Sequence, residues 1–226
     1  MTRQVRKSVL TFIFTSIAAL SLAGCIIHVG ASKATAKISF DDDYTSVNKS
    51  LNIGEGKTIG DASSVNGTLT LQDNITAKDV STVNGRLKVG KNVSLEELST
   101  VNGKLSAGAK LNAKGDVSSV NGKISLDKES TVGGSVSSVN GKIELDGVDV
   151  LNNIQTVSGS VVLSGDTHVA GNIVFEHRKT YGSFNNRNPI LRIDKDVKIE
   201  GDIILESPVD LEFDDENLHK KVVSNY

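Results

Sequence analysis

The sequence has no tryptophan, one methionine, one cysteine and two prolines among 226 residues, and aromatics make up only 4% of it. No Phe, Tyr or Trp occurs between Thr45 and Val174. A compact globule of this length recruits large aromatics to fill its centre, so a thick central core is excluded. Val, Ile, Leu, Ala and Gly take their place, and these suit a narrow core. With Cys25 as the sole cysteine, no intrachain disulfide can form. Charge of one sign is also scarce, since 25 basic residues stand against 27 acidic ones. Nucleic-acid binding needs a basic face, so no nucleic-acid partner is expected.

What is present is a phrase that recurs: SVNKSLNI, SSVNGTLTL, STVNGRLKV, STVNGKLSA, SSVNGKISL, SSVNGKIEL and TVSGSVVL. Its leading valines are Val47, Val65, Val83, Val101, Val120, Val139 and Val157, spaced by 18 or 19 residues. A fixed period is the mark of a repeat architecture. Four residues after the valine stand Leu51, Leu69, Leu87, Leu105, Ile124, Ile143 and Val161. Six after it stand Ile53, Leu71, Val89, Ala107, Leu126, Leu145 and Leu163; twelve after it, Ile59, Ala77, Leu95, Ala113, Val132, Leu151 and Val169. Three before it, in the later copies, are Ala62, Val80, Leu98, Val117, Val136 and Ile154.

Apolar residues two apart are strand alternation, and the phase restarts about every six residues. Three short sides then make one coil, each side pairing in parallel with its copy about 4.8 Å away. The fold expected is all-β: a single-domain parallel β-solenoid, three-sided, with 18–19 residues per coil. The 19-residue coils and weak six-residue consensus favour a right-handed helix. About nine coils would make a rod about 40 Å long. Asn-Gly is also a strong hairpin signal, so an antiparallel meander is the rival. That rival does not explain seven copies of apolar positions held in one register.

In the solenoid the phrase is a corner. The valine points inward, and Asn48, Asn66, Asn84, Asn102, Asn121 and Asn140 stack as a hydrogen-bonded ladder. The glycine after most of them supplies a positive φ or room for a tight bend. Lys49 replaces that glycine in the first copy, and Ser158 replaces the asparagine in the last.

The first 24 residues read as a secretory leader, with Arg3, Arg6 and Lys7 before an apolar run from Val9 to Leu22. Leu22, Ala23, Gly24 and Cys25 resemble a bacterial lipobox. The resemblance implies cleavage before Cys25 and lipidation of that residue, several acyl chains giving a stable membrane anchor. Ile26 stands where lipoproteins kept in the inner membrane often carry Asp, so the outer membrane is expected in a cell with two. Loss of the three basic leader residues takes the net charge from −2 to −5.

Residues 25–37 are the lipidated cysteine and a polar tether, and 38–213 the solenoid, with Ile38 to Phe40 as an opening strand capping the core. Asp41, Asp42 and Asp43 form an acidic turn, or less simply a calcium ligand set. An insertion at 176–189 carries His177, Arg178, Lys179, Tyr181, Phe184 and Arg187. Insertions on a regular scaffold are where binding tends to live, and aromatic plus basic groups suit a glycan or an anionic partner; an excursion folded back on the coil is the plainer alternative. Phe213 is placed to close the core, and 214–226 reads as a polar tail.

Two charged columns follow from the register. Arg86, Lys104, Lys123 and Lys142 lie three after the valine; Asp43, Asp61, Asp79, Glu97 and Asp116 lie four before it. The plain reading is solubility and resistance to lateral association. The sharper one gives the basic row an anionic ligand and the acidic row divalent ions. His28, His168, His177 and His219 fall on unlike segments with no metal-ligand spacing, and no nucleophile elbow or phosphate loop occurs. No enzyme, cofactor or resident metal is expected.

The repeated V-N-G-K-[IL]-x-[LVA] phrase resembles the β-solenoid adhesin domains of bacteria, and the phrases at Gly171-Asn172-Ile173-Val174 and Gly201-Asp202-Ile203-Ile204 are similar to those of the polymer-forming bactofilins. The resemblance spans about residues 45–206 and implies a solenoid with no catalytic residues. The lipobox departs from bactofilins, which are cytosolic. The function expected is a membrane-anchored cell-envelope scaffold, structural or adhesive, with a glycan or protein partner. A self-assembling envelope polymer and a carbohydrate-active β-helix enzyme are the alternatives.

Overall fold

The computed structural model describes residues 42–177 and 188–226. The leader, Cys25, Phe40 and the insertion's Arg178, Lys179, Tyr181, Phe184 and Arg187 lie outside the described residues.

The chain winds as a β-solenoid of about nine turns, with short strands stacked into three parallel sheets. Sheet A has ten strands, from Tyr44–Val47 to Val222–Ser224; sheet B has nine, from Leu51–Ile53 to Asp210–Phe213; sheet C has six, from Ser94–Leu95 to Lys198–Ile199. Each strand pairs with the same side of the coils above and below. Leu51 faces Leu69, then Leu87, Leu105, Ile124, Ile143, Val161, Leu191 and Leu211 in one continuous file. No antiparallel pairing occurs among the described strands, so the hairpin alternative falls. Short sides rich in Val, Ile and Leu fit a narrow interior, and each buried aliphatic chain contributes about 1.5–3 kcal/mol.

The files four and six residues after the valine, and the file three before it, line the core as the period predicts, Leu51 being only partly buried. Two expectations fail. The leading valines do not point inward: the strand Ala62–Val65 alternates buried and half-buried, which puts Ala62 and Ser64 inside and Val65 outside. Alternation makes this unavoidable, because a residue three positions from an inward one has the opposite parity. The inward corner residues are instead Ser64, Thr82, Thr100, Ser119, Ser138 and Thr156. Leu151 is also misassigned, being 54% exposed. Its coil is one residue shorter here, so Val150 takes the inward place and faces Val132 and Val169.

One core file escaped the period count. Ile75, Val93 and Leu111 fill the corner between sheets B and C, and Ser130, Val148, Thr167 and Val197 continue it. Ser130 and Thr167 are accommodated because each hydroxyl donates to a carbonyl three residues back, Asp127 and Ser164.

The two ends of the described stack differ. At the first coil Tyr44 packs against the core, with the Lys57 ammonium 5.7 Å from the centre of its ring. At the last, residues 214–226 are no tail. A 3-10 helix, Glu216–Lys221, is capped by the Asp215 side chain and takes the place of a sheet C side, burying Leu218. The strand Val222–Ser224 then pairs with Ile203–Leu205 and completes sheet A. The sequence here is too polar to show a strand, because one contact face suffices at the end of a stack. Phe213 packs half-buried against the core, its ring 4.9 Å from that of His219.

Candidate functional site: surface columns and the insertion

Because coils stack in register, a side chain at one position becomes a column, and the surface is best described column by column. At the corner from sheet A to sheet B, Asn66 Nδ2 donates to Asn48 Oδ1 at 2.8 Å, and Asn84 to Asn66 and Asn102 to Asn84 at 2.9 Å. Asn121 then donates to Asn102, and Asn140 to Asn121, at 2.8 Å. Each such bond is worth about 0.5–1.5 kcal/mol net. The glycine that follows serves close approach: a Cβ on Gly85, Gly103, Gly122, Gly141 or Gly159 would overlap the carbonyl oxygen of the glycine one coil before. Lys49 stands at the first described corner, and its carbonyl oxygen is what a Cβ on Gly67 would overlap.

The basic column is only partly free. Lys123 and Lys142 both pair with Glu144, the latter at 2.7 Å. Burial acts to raise the Glu144 carboxyl, but hydrogen bonds and charge from the two lysines outweigh it and hold the group below its usual range. Arg86 and Lys104 are exposed and have no ion-pair partner among the described residues.

The acidic column has a structural use that the charge pattern conceals. Asp43 accepts the backbone N–H of Asp61 at 2.8 Å, Asp61 that of Asp79 at 3.3 Å, and Asp116 that of Ser135 at 2.7 Å. Farther along, Asn153 accepts from the backbone of Asn172, and Asn172 from that of Asp202, both at 2.8 Å. Neutral asparagines doing the same task were the sequence signal that these positions need an acceptor oxygen. Stacking still carries an electrostatic cost. Burial, then Asp61 and Glu96, raise the Asp79 carboxyl; burial, then Asp79, Asp116 and Glu96, raise that of Glu97. Among the described residues, no group of three or more His, Cys, Asp or Glu side chains is placed to hold a metal ion.

The insertion leaves the stack at the sheet A to sheet B corner, above the last rung of the asparagine ladder. Its described ends are pinned. His177 donates its backbone N–H to Glu206 Oε2 at 3.2 Å, and Asn188 Nδ2 donates to Asp210 Oδ1 at 3.0 Å. Of the other histidines, His168 lies on sheet C between Glu200, at 3.0 Å, and Asp149, at 3.8 Å, while His219 stacks on Phe213. One surface depression among the described residues is lined by Asp149, Asp166, His168, Asp196 and Lys198. Among the described residues no helix is long and apolar enough to cross a membrane. No family model, curated protein or solved structure matches the chain.

Proposed function

We propose that the protein is a cell-envelope lipoprotein, held to the membrane through Cys25, that serves as a non-catalytic structural or adhesive scaffold. The observation that carries the reading is the unbroken register of the coils, which converts a repeated sequence into long surface columns on a rod. Side-chain ladders at two corners tie most coils to the next, so the rod resists bending and extension. Such an object presents groups at a fixed distance from its anchor. Within the basic column of the described residues, Arg86 and Lys104 are the cations free to meet an anionic glycan or protein, since Lys123 and Lys142 are engaged by Glu144.

The envelope-polymer alternative asks for a bare coil at each end. It is the weaker reading, because a 3-10 helix replaces the sheet C side of the last coil. The anchor is tested by fractionating cells that express Cys25→Ala. The variant is expected in the soluble fraction, and retention in the membrane at the level of the unchanged chain would overturn the lipoprotein reading.

A further inference from the structure

The three outer faces of the rod differ in charge. Sheet B shows Lys88, Glu144 and Arg192 to solvent, and sheet C shows Asp149, His168 and Lys198. Sheet A shows none over seven successive strands: the outward side chains are one polar residue and one valine per coil, from Thr45 and Val47 to Gln155 and Val157, with Ser99, Ser118 and Ser137 buried between their neighbours. Val47 is 52% exposed. Lateral association is what a soluble β protein ordinarily blocks with charge; sheet A lacks it along this whole run, whereas sheet B carries Lys88 and sheet C is uncharged only through Ser94, Asn112 and Thr131 before Asp149.

That face has a charged column on each side. Asp79, Glu97 and Asp116 stand immediately before its strands, and Arg86, Lys104 and Lys123 stand just past the corner after them. The members match coil by coil: Asp79 with Arg86, Glu97 with Lys104, and Asp116 with Lys123, the last already shared with Glu144 of its own chain. We infer that sheet A is the contact face for a second copy of this chain, and that the two rods lie parallel, related by a two-fold axis along their length. Rotation about that axis carries the acidic column of one copy over the basic column of the other at the same height. A two-fold axis across the rods, which would make them antiparallel, brings acid over acid and base over base, and like charges brought together cost affinity. The contact is isologous, as two-fold contacts are.

The crowding that raises Asp79 and Glu97 is relieved in this pairing, because each meets a cation, Arg86 or Lys104, that has no ion-pair partner among the described residues of its own chain. With its flanking columns the face measures about 30 Å by about 20 Å, so a pair buries roughly 1,200 Å², the low end for specific interfaces. A weak dimer is the result. Parallel rods also have both N-termini at one end, which suits two chains held in one membrane, although the pairing does not depend on the anchor.

Cysteine cross-linking of the full chain, in whichever cell fraction holds it, tests the inference. Val65→Cys and Val139→Cys each place a thiol near the proposed axis, toward opposite ends of the face; Ser106→Cys, on sheet B, is the control, with the unchanged chain as the background for Cys25. Mild oxidation is expected to give disulfide dimers of each valine variant several-fold above the control. Differently tagged Val65→Cys and Val139→Cys chains, mixed, are expected to give no mixed dimer above background. Lys104→Glu is expected to lower the Val65→Cys yield several-fold, and Glu97→Lys in the same chain to restore it. Yields no higher than the control, predominant mixed dimers, or failure of the charge swap to restore cross-linking would each overturn the parallel pairing.

Discussion

At the corner between sheets A and B, glycine follows the asparagine, or finally Ser158, in six successive coils from Gly67 to Gly159. At the corner between sheets B and C, the chain turns on a residue of positive φ that is Gly56, Asn74, Asn92, Lys110, Glu129, Gly147 or Gly165. The first corner admits almost no variation and the second admits lysine and glutamate. The difference lies in what each position touches. A side chain at the first corner strikes the backbone of the coil beneath, so the constraint acts between coils. At the second, a Cβ on Gly56 meets nothing within 4 Å and one on Gly147 makes only ordinary contact with Lys128, so the left-handed backbone is the main constraint, although a Cβ on Gly165 would crowd Asp146 Oδ1. That conformation costs a non-glycine residue about 1–2 kcal/mol, and asparagine tolerates it best. Asn74 and Asn92 also make a short ladder there, Asn92 Nδ2 donating to Asn74 Oδ1 at 2.7 Å and Asn74 Nδ2 to Glu55 Oε1 at 2.9 Å.

The contrast breaks most sharply at Gly103. Gly103→Ala drives a methyl group into the Gly85 carbonyl, and both partners are backbone held in parallel ladders. A loss of about 3 kcal/mol is expected, at the upper end for overpacking, read as a fall in the urea midpoint. An unchanged midpoint would mean that the coils separate there at little cost. Lys110→Gly should have the opposite sign. It relieves a φ of +64° and should stabilise by about 0.5–1 kcal/mol, the strain removed less the entropy that glycine adds. The exposed ion pair from Lys110 to Glu129 at 3.5 Å is worth little by comparison. A lower midpoint would show that the side chain, not the backbone, governs this corner.

The smallest effect is expected at the third corner, where the acidic column turns the chain from sheet C into sheet A. Asp79 and Glu97 have carboxyl groups raised above their ordinary 3.8 and 4.5. Each therefore holds its proton more tightly in the folded state than in the unfolded one. Below the ordinary values both states are protonated and nothing is lost. As pH rises through those values and past the raised folded ones, stability falls and then levels. Glu97→Gln removes one such group, so its midpoint should match the unchanged chain near pH 3, exceed it as pH rises through the ordinary and raised values, and keep a constant gap above them. A gap independent of pH would show that Glu97 acts by packing and not by charge.

Much of this architecture was legible in the sequence, for one reason. Residues such as Leu69, Leu87 and Leu105 recur at one interval and lie deep inside strands, where neighbours above and below are copies of themselves. The corners were less legible. The leading valine was read as inward because it is apolar and recurs, yet strand parity from Ala62 to Val65 had already turned it outward. Leu151 was lost to a one-residue shortening that a fixed count cannot see. The file of Ile75, Val93 and Leu111 lies where the phase restarts, so no alternation announces it. The surface columns could be grouped by type, but the pairing of Lys123 and Lys142 with Glu144 needed the positions of two adjacent coils at once.

The sequence by itself determined that the chain stacks in parallel with like over like, because only that arrangement buries every apolar file of an 18- to 19-residue period. It also marked Asn48 through Asn140 as a corner motif. Only the tertiary structure decided which way the corner residues face, why the glycines are there, and that the last strand joins sheet A. These depend on the backbone of the adjacent coil, and a residue's letter carries no information about the atoms one coil away.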